Sequence, residues 1–154
     1  MAVSRALRRL LRIRDLEEEQ RRVALESALA ELHRLQHALE SSVQRGRQGR
    51  ELVTASANTG ELPDRIAGMA EARLAARYVE VMTPRIAATE LNVAELRLEF
   101  LAKRVERRQA ETLIRETEAR DAVEAGRRGQ QGIDGWYSNK LQQNLKDNEP
   151  DDRT

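Results

Sequence analysis

Asn58-Thr59-Gly60-Glu61-Leu62-Pro63-Asp64 is the one compact stop-and-restart signal between two long tracts that both read as helix. Proline suits the first turn of a new helix. A turn over residues 58–64 folds residues 2–57 back on residues 64 onward. The predicted fold is all-α: a long antiparallel two-helix coiled-coil hairpin over residues 1–140, with a flexible, disordered acidic tail over 141–154. Both helices rise ~1.5 Å per residue, so facing residues have numbers that sum to about 121.

Working outward, helix one covers about 2–57. Val3, Leu7, Leu10, Ile13 and Leu16 recur at helical spacing, and Leu25, Leu29, Leu32, Leu39 and Val43 resume it after a charged stretch. Within that stretch Glu17 with Arg21 and Glu18 with Arg22 are favourable i,i+4 pairs, which makes it a solvated face and not a break. Gly46 and Gly49 each cost roughly 1 kcal/mol against alanine inside a helix, so the last turns before Asn58 read as frayed. Helix two covers about 64–127. Its stripe of Ala70, Leu74, Val81, Ala88 and Leu91 meets Thr83-Pro84, where a kink or short break is expected because proline removes a helical hydrogen bond. Beyond it Leu91, Ala94, Leu98, Leu101 and Val105 alternate three and four, as a coiled-coil seam does. The register then sets Leu16 near Val105, Val23 near Leu98, Leu39 near Met82 and Leu7 near Ile114. Helix one ends near residue 120 of its partner, so Ile133-Asp134-Gly135-Trp136-Tyr137 overhangs beside the arginine-rich N-terminus.

Composition agrees. Charged residues make up 34% of the 154 and aromatics only 3%, a profile of long helices with few large side chains for a compact core. The 27 basic and 26 acidic side chains nearly cancel, which leaves no global field for nucleic acid or membrane. Their distribution is uneven, with Arg5, Arg8, Arg9, Arg12 and Arg14 in an acid-free start and acids gathered in the tail. There is no cysteine, hence no disulfide framework and no Cys-based zinc site. No apolar run reaches ~18 residues, so no membrane span is expected, and arginine every few residues interrupts the start where a secretory signal would need an apolar segment.

Chemistry is scarce. His33 and His37 lie four apart on one helical face, but no third ligand is suitably placed, and a solvated face is the plain reading. No metalloprotease, phosphate-loop, dinucleotide or nucleophile-elbow motif occurs. Two helices offer no dehydrated pocket to shift carboxylates, so no catalytic residue, metal or cofactor is expected. Two features point to binding. The basic N-terminal helix, with Arg5, Arg8, Arg9 and Arg12, opposes its own helix dipole and has three readings: a solvated basic face, docking into an acidic or dipolar protein cavity, or a surface lying on anionic lipid. Trp136 and Tyr137 are adjacent aromatics beyond the reach of the first helix, and exposed aromatics are common interface anchors.

These features resemble the flagellar export stalk family FliJ and its type III secretion relatives. The resemblance rests on length, on the arginine-rich start entering Glu17–Arg22, on the central turn, on Leu74–Ile86 (LAARYVEVMTPRI), and on a charged late tract ending in Gln130-Gln131-Gly132-Ile133-Asp134. It implies a non-enzymatic cytoplasmic stalk or adaptor at the inner-membrane face. The open end would enter a hexameric export ATPase ring, with Arg5, Arg8, Arg9 and Arg12 and the facing stretch 107–120 assigned to it, and Asp134, Trp136 and Tyr137 are further partner-binding candidates. The remote half, around Leu39 and Tyr78, would meet the membrane export gate, and export chaperones would be further partners. Membrane association would be peripheral, through those partners. Pro84, the glycines from Gly126 and the Trp136-Tyr137 pair depart from the family pattern.

Overall fold

The computed structural model describes residues 5–147, without the side chains of 146 and 147. Two helices make up almost all of it: α1, Arg5–Thr59, and α2, Leu62–Asp147. The turn is tighter than the 58–64 expected from sequence, since only Gly60 and Glu61 lie outside helix. Gly60 has a φ of 78°, the left-handed conformation of a helix C-terminus, and its N–H donates to Ser56 O at 2.8 Å. Pro63 and Asp64 then sit in the first turn of α2, where a missing N–H costs nothing and a carboxylate suits the dipole.

α2 departs from expectation in two ways. It continues helical past residue 127 to Asp147, so 141–147 belong to the helix, while 148–154 of the expected tail lie outside the described residues. Pro84 lies inside it with no break. Thr83 does not cap a new helix; its hydroxyl donates to Val79 O at 2.7 Å within the old one. Val3 likewise lies outside the described residues.

The described residues pack as two units, 14–106 and 5–13 with 107–147. In the 14–106 unit the helices run antiparallel. Cross-helix ion pairs have residue numbers summing to 116 at Arg45–Glu71 (3.1 Å) and to 120 at Arg21–Glu99 (2.9 Å) and Arg14–Glu106 (2.6 Å). The register is close to that read from sequence; the faces differ. Leu39 and Met82 do turn inward, but Leu16 and Val105, at one level, are 60% and 53% exposed, and Val23 and Leu98 are 52% and 69%. The seam of α2 is Gly68, Ala72, Ala75, Val79, Met82, Ile86, Thr89, Val93, Leu96 and Phe100. It alternates four and three throughout, one heptad phase away from the Leu91–Val105 row.

Along that seam the contacts change character. The centre is aliphatic: Leu32, Leu35, Met82, Ile86 and Val93 form the core, with Leu25, Ala28, Leu29 and Leu39 against it. Toward the turn the buried residues are small: Gly46, Gly49, Ser56, Gly68 and Ala75. Gly46 and Gly49 are therefore not points of fraying. They permit close backbone approach, because a Cβ on Gly49 would stand 2.7 Å from Gly68 O and one on Gly68 would stand 2.5 Å from Gly49 O. Neither contact can be relieved by a side-chain rotation. Gly68→Ala is thus expected to lower unfolding free energy by about 1–3 kcal/mol through overpacking. Gly126, around which nothing lies within 4 Å, should gain up to ~1 kcal/mol as Gly126→Ala from helix propensity alone. Chemical denaturation of the two variants checks the contrast.

Candidate functional site

In the unit formed by residues 5–13 and 107–147, Leu7 and Leu11 are half-buried, and so are Arg107, Glu111, Ile114 and Thr117 on α2, with Ala110 buried. Burial of Leu7 and Leu11 fixes the roll of α1 about its axis. Arg5, Arg8, Arg9 and Arg12 consequently point to solvent, where all four are exposed. Leu10 and Ile13, expected on the packed stripe, are exposed as well.

α2 then outruns α1. From Ala122 to Leu145 every side chain is exposed, as expected of a helix with nothing beside it. Trp136 and Tyr137 stand there 56% and 58% exposed, with ring centroids 5.1 Å apart in an edge-on arrangement. Lys140 Nζ lies 4.8 Å above the Trp136 ring, a cation–π contact that orients the indole. Asp134 accepts a hydrogen bond from Gln130 Nε2 at 3.2 Å. Leu141 and Leu145, also exposed, follow Tyr137 at four-residue steps and extend the apolar stripe begun by Ile133. A helix ending near 127 would leave Leu141 and Leu145 in a tail; their four-residue spacing from Tyr137 is the signal the sequence carries for them.

The two halves of the expected site are not brought together. By the antiparallel count Arg5 lies level with residue 115 or so, and Trp136 is about 30 Å further along the helix. Basic cluster and aromatic pair are separate surfaces of one unit. Leu39 and Tyr78 belong to the other unit. Leu39 packs against the aliphatic core, whereas Tyr78 is exposed and lines a shallow groove of about 500 Å³ with Ala38, Ser41, Ser42, Arg45, Glu71 and Leu74.

Electrostatics in the 14–106 unit arise from surface pairs. Arg14 bonds both Glu17 (2.8 Å) and Glu106 (2.6 Å), and Lys103 closes the group at 3.6 Å from Glu17 and 3.2 Å from Glu106. The i,i+4 partners read from sequence are rearranged: Arg21 reaches across to Glu99, and Arg22 holds Glu19 and Glu26. The Arg14 hydrogen bond, aided by Lys103, holds the Glu17 carboxyl below its ordinary range. At the turn the effect reverses, since hydrogen bonding and repulsion from Asp64 push Glu61 up. His33 and His37 are exposed, His37 Nδ1 lies 3.3 Å from Ser41 Oγ, and among the described residues no three His, Cys, Asp or Glu side chains are grouped to hold a metal. No described helix is long and apolar enough to cross a membrane.

No protein-family model matches the chain, and neither a curated protein nor a solved structure does. What the fold defines is a helical, coiled-coil-like protein with two long helices packed on one another.

The depressed Glu17 carboxyl makes a signed prediction. Its contribution is fully present above the unfolded carboxylate pKa of about 4.3 and is lost as pH falls through the lower folded value. Glu17→Gln should therefore lower the melting temperature at neutral pH, and the gap to wild type should close in acid. Glu61→Gln should do the opposite at neutral pH, raising the melting temperature by removing repulsion from Asp64. Thermal scans across pH by circular dichroism test both.

Proposed function

We propose that this chain is a non-enzymatic stalk or adaptor of a type III protein export ATPase complex. Its basic helix start and its unpaired helical extension dock into the ATPase ring, and its turn-side half meets the export gate and export chaperones. The observation that carries the reading is the exposed row of Arg5, Arg8, Arg9 and Arg12 on a helix whose Leu7 and Leu11 are already engaged. Positive charge is displayed there on a rigid scaffold and is not consumed by the fold, which suits an acidic protein cavity. The stalk assignment itself rests on the resemblance of the arginine-rich start, central turn and late tract to the flagellar export stalk family. Residence at the cytoplasmic face of the inner membrane, held there through partners, follows from it.

The same observation weighs against the lipid alternative. An interfacial helix inserts its apolar face into the bilayer, and here, of Leu7, Leu10 and Leu11, only Leu10 is left exposed for such a contact, Leu7 and Leu11 being half-buried against α2. Two measurements separate the readings. In co-sedimentation with a purified export ATPase ring, wild type should bind, and the quadruple change Arg5→Glu, Arg8→Glu, Arg9→Glu, Arg12→Glu should weaken binding at least ~10-fold, mostly through association rate. Flotation with anionic liposomes should recover little of the chain. Strong, salt-sensitive flotation lost in the same variant, with no ring binding, would establish the lipid reading instead.

A further inference from the structure

The row that reads most cleanly as a coiled-coil seam, Leu91, Ala94, Leu98, Leu101 and Val105, is not used by the hairpin. It lies on the side of α2 opposite the α1 contact, and Ala87 extends it at the same three-four spacing. Leu91 and Leu98 are 68% and 69% exposed. Nothing among the described residues of the 14–106 unit covers it. We propose that this ridge binds the same ridge of a second copy of the chain, antiparallel, making a dimer through the outer face of α2.

Three features select a second copy in that orientation. The first is shape. With antiparallel layers whose numbers sum to 192, Leu91 meets Leu101 of the second copy, Leu98 meets Ala94, and Val105 meets Ala87. Large side chains then oppose small ones in two layers of each three, which lets the ridges interdigitate. The second is charge. Charged groups beside the inner seam, among them Arg14, Arg21, Glu99 and Lys103, are paired across the hairpin, whereas Glu90, Arg97 and Arg104 beside the outer ridge have no ion pair among the described residues. In the antiparallel register Glu90 faces Arg104 of the second copy, twice by symmetry. A parallel register would set Glu90 against Glu95 and gain no such pair. Near the two-fold axis Arg97 and Glu95 meet their own counterparts, but exposed like charges weigh less than burial of the leucine layers. The third is extent. A ridge from 87 to 105 is about 28 Å long on a helix about 10 Å wide, well short of the ~800 Å² per partner of a stable interface. The dimer is accordingly weak and concentration-dependent.

Sedimentation equilibrium of the full chain tests this, with circular dichroism confirming that each variant stays helical. Wild type should pass from monomer at ~1 µM to mostly dimer by ~500 µM, the range of a small interface. Leu98→Glu, which points away from the hairpin, should weaken the dimer at least ~10-fold, since it places charge in the apolar layer. Glu90→Arg should weaken it a few-fold, and adding Arg104→Glu should restore it. Leu16→Glu, on the outer face of α1, should change nothing. A chain monomeric throughout, a dimer indifferent to Leu98→Glu, equal loss with Leu16→Glu, or failure of the double change to restore association would each overturn the proposal.

Discussion

The backbone contact between Gly49 and Gly68 is the constraint on which the rest of the 14–106 unit depends. Two helices can approach so closely only where neither carries a side chain, and a Cβ on either glycine would strike a carbonyl oxygen of the other helix. The contact lies about ten residues from Gly60, and Val53 packs beside it against Gly68, so turn and contact together fix the antiparallel register near the turn. Arg45–Glu71 follows directly, then the Leu32, Leu35, Met82, Ile86 cluster, then Arg21–Glu99 and Arg14–Glu106 at the far side. A shift of one residue would rotate the leucines out of the seam and separate the pairs.

A two-helix contact buries only one stripe of each helix, and this explains the modest interior. Among the described residues no large side chain is completely buried, and the core is a single file of aliphatic groups. The same geometry leaves carboxylates wet. The displaced pKa values of Glu17, Glu19 and Glu31 come from arginine partners on the surface and not from desolvation, which acts against them. Glu19 and Glu31 are held by arginines of their own helix, whereas Glu17 also reaches Lys103 across the hairpin.

What the fold does with its unused surface bears most on function. The half-buried Leu7 and Leu11 turn four arginines outward, and the end of α1 leaves residues 122–145 as a helix with no neighbour among the described residues. An isolated helix in water is marginal, and its apolar positions gain most from a partner. Ile133, Trp136, Tyr137, Leu141 and Leu145 are such positions.

The all-α hairpin, its turn and its approximate register were legible in the sequence, because Gly60, Pro63 and rise per residue are local facts. The extent of α2 was not. Helix two was expected to end near 127 and to kink or break at Pro84, yet α2 runs on through Gly126, Gly129, Gly132 and Gly135 to Asp147, the propensity penalties yielding to the continuity of a long helix. The arginines, Asp134, Trp136 and Tyr137 were legible as candidate surface groups from their types and positions, but their mutual distance depended on where α2 stops. Choice of face escaped the sequence altogether. α2 carries two apolar rows in heptad spacing, one through Met82, Ile86 and Val93, the other through Leu91, Leu98 and Val105, and periodicity ranks them only by cleanness. The sequence by itself determined that two helices pair antiparallel about Gly60. Which row they share was decided only by tertiary structure, since the glycine contact sets the roll at which α1 meets α2.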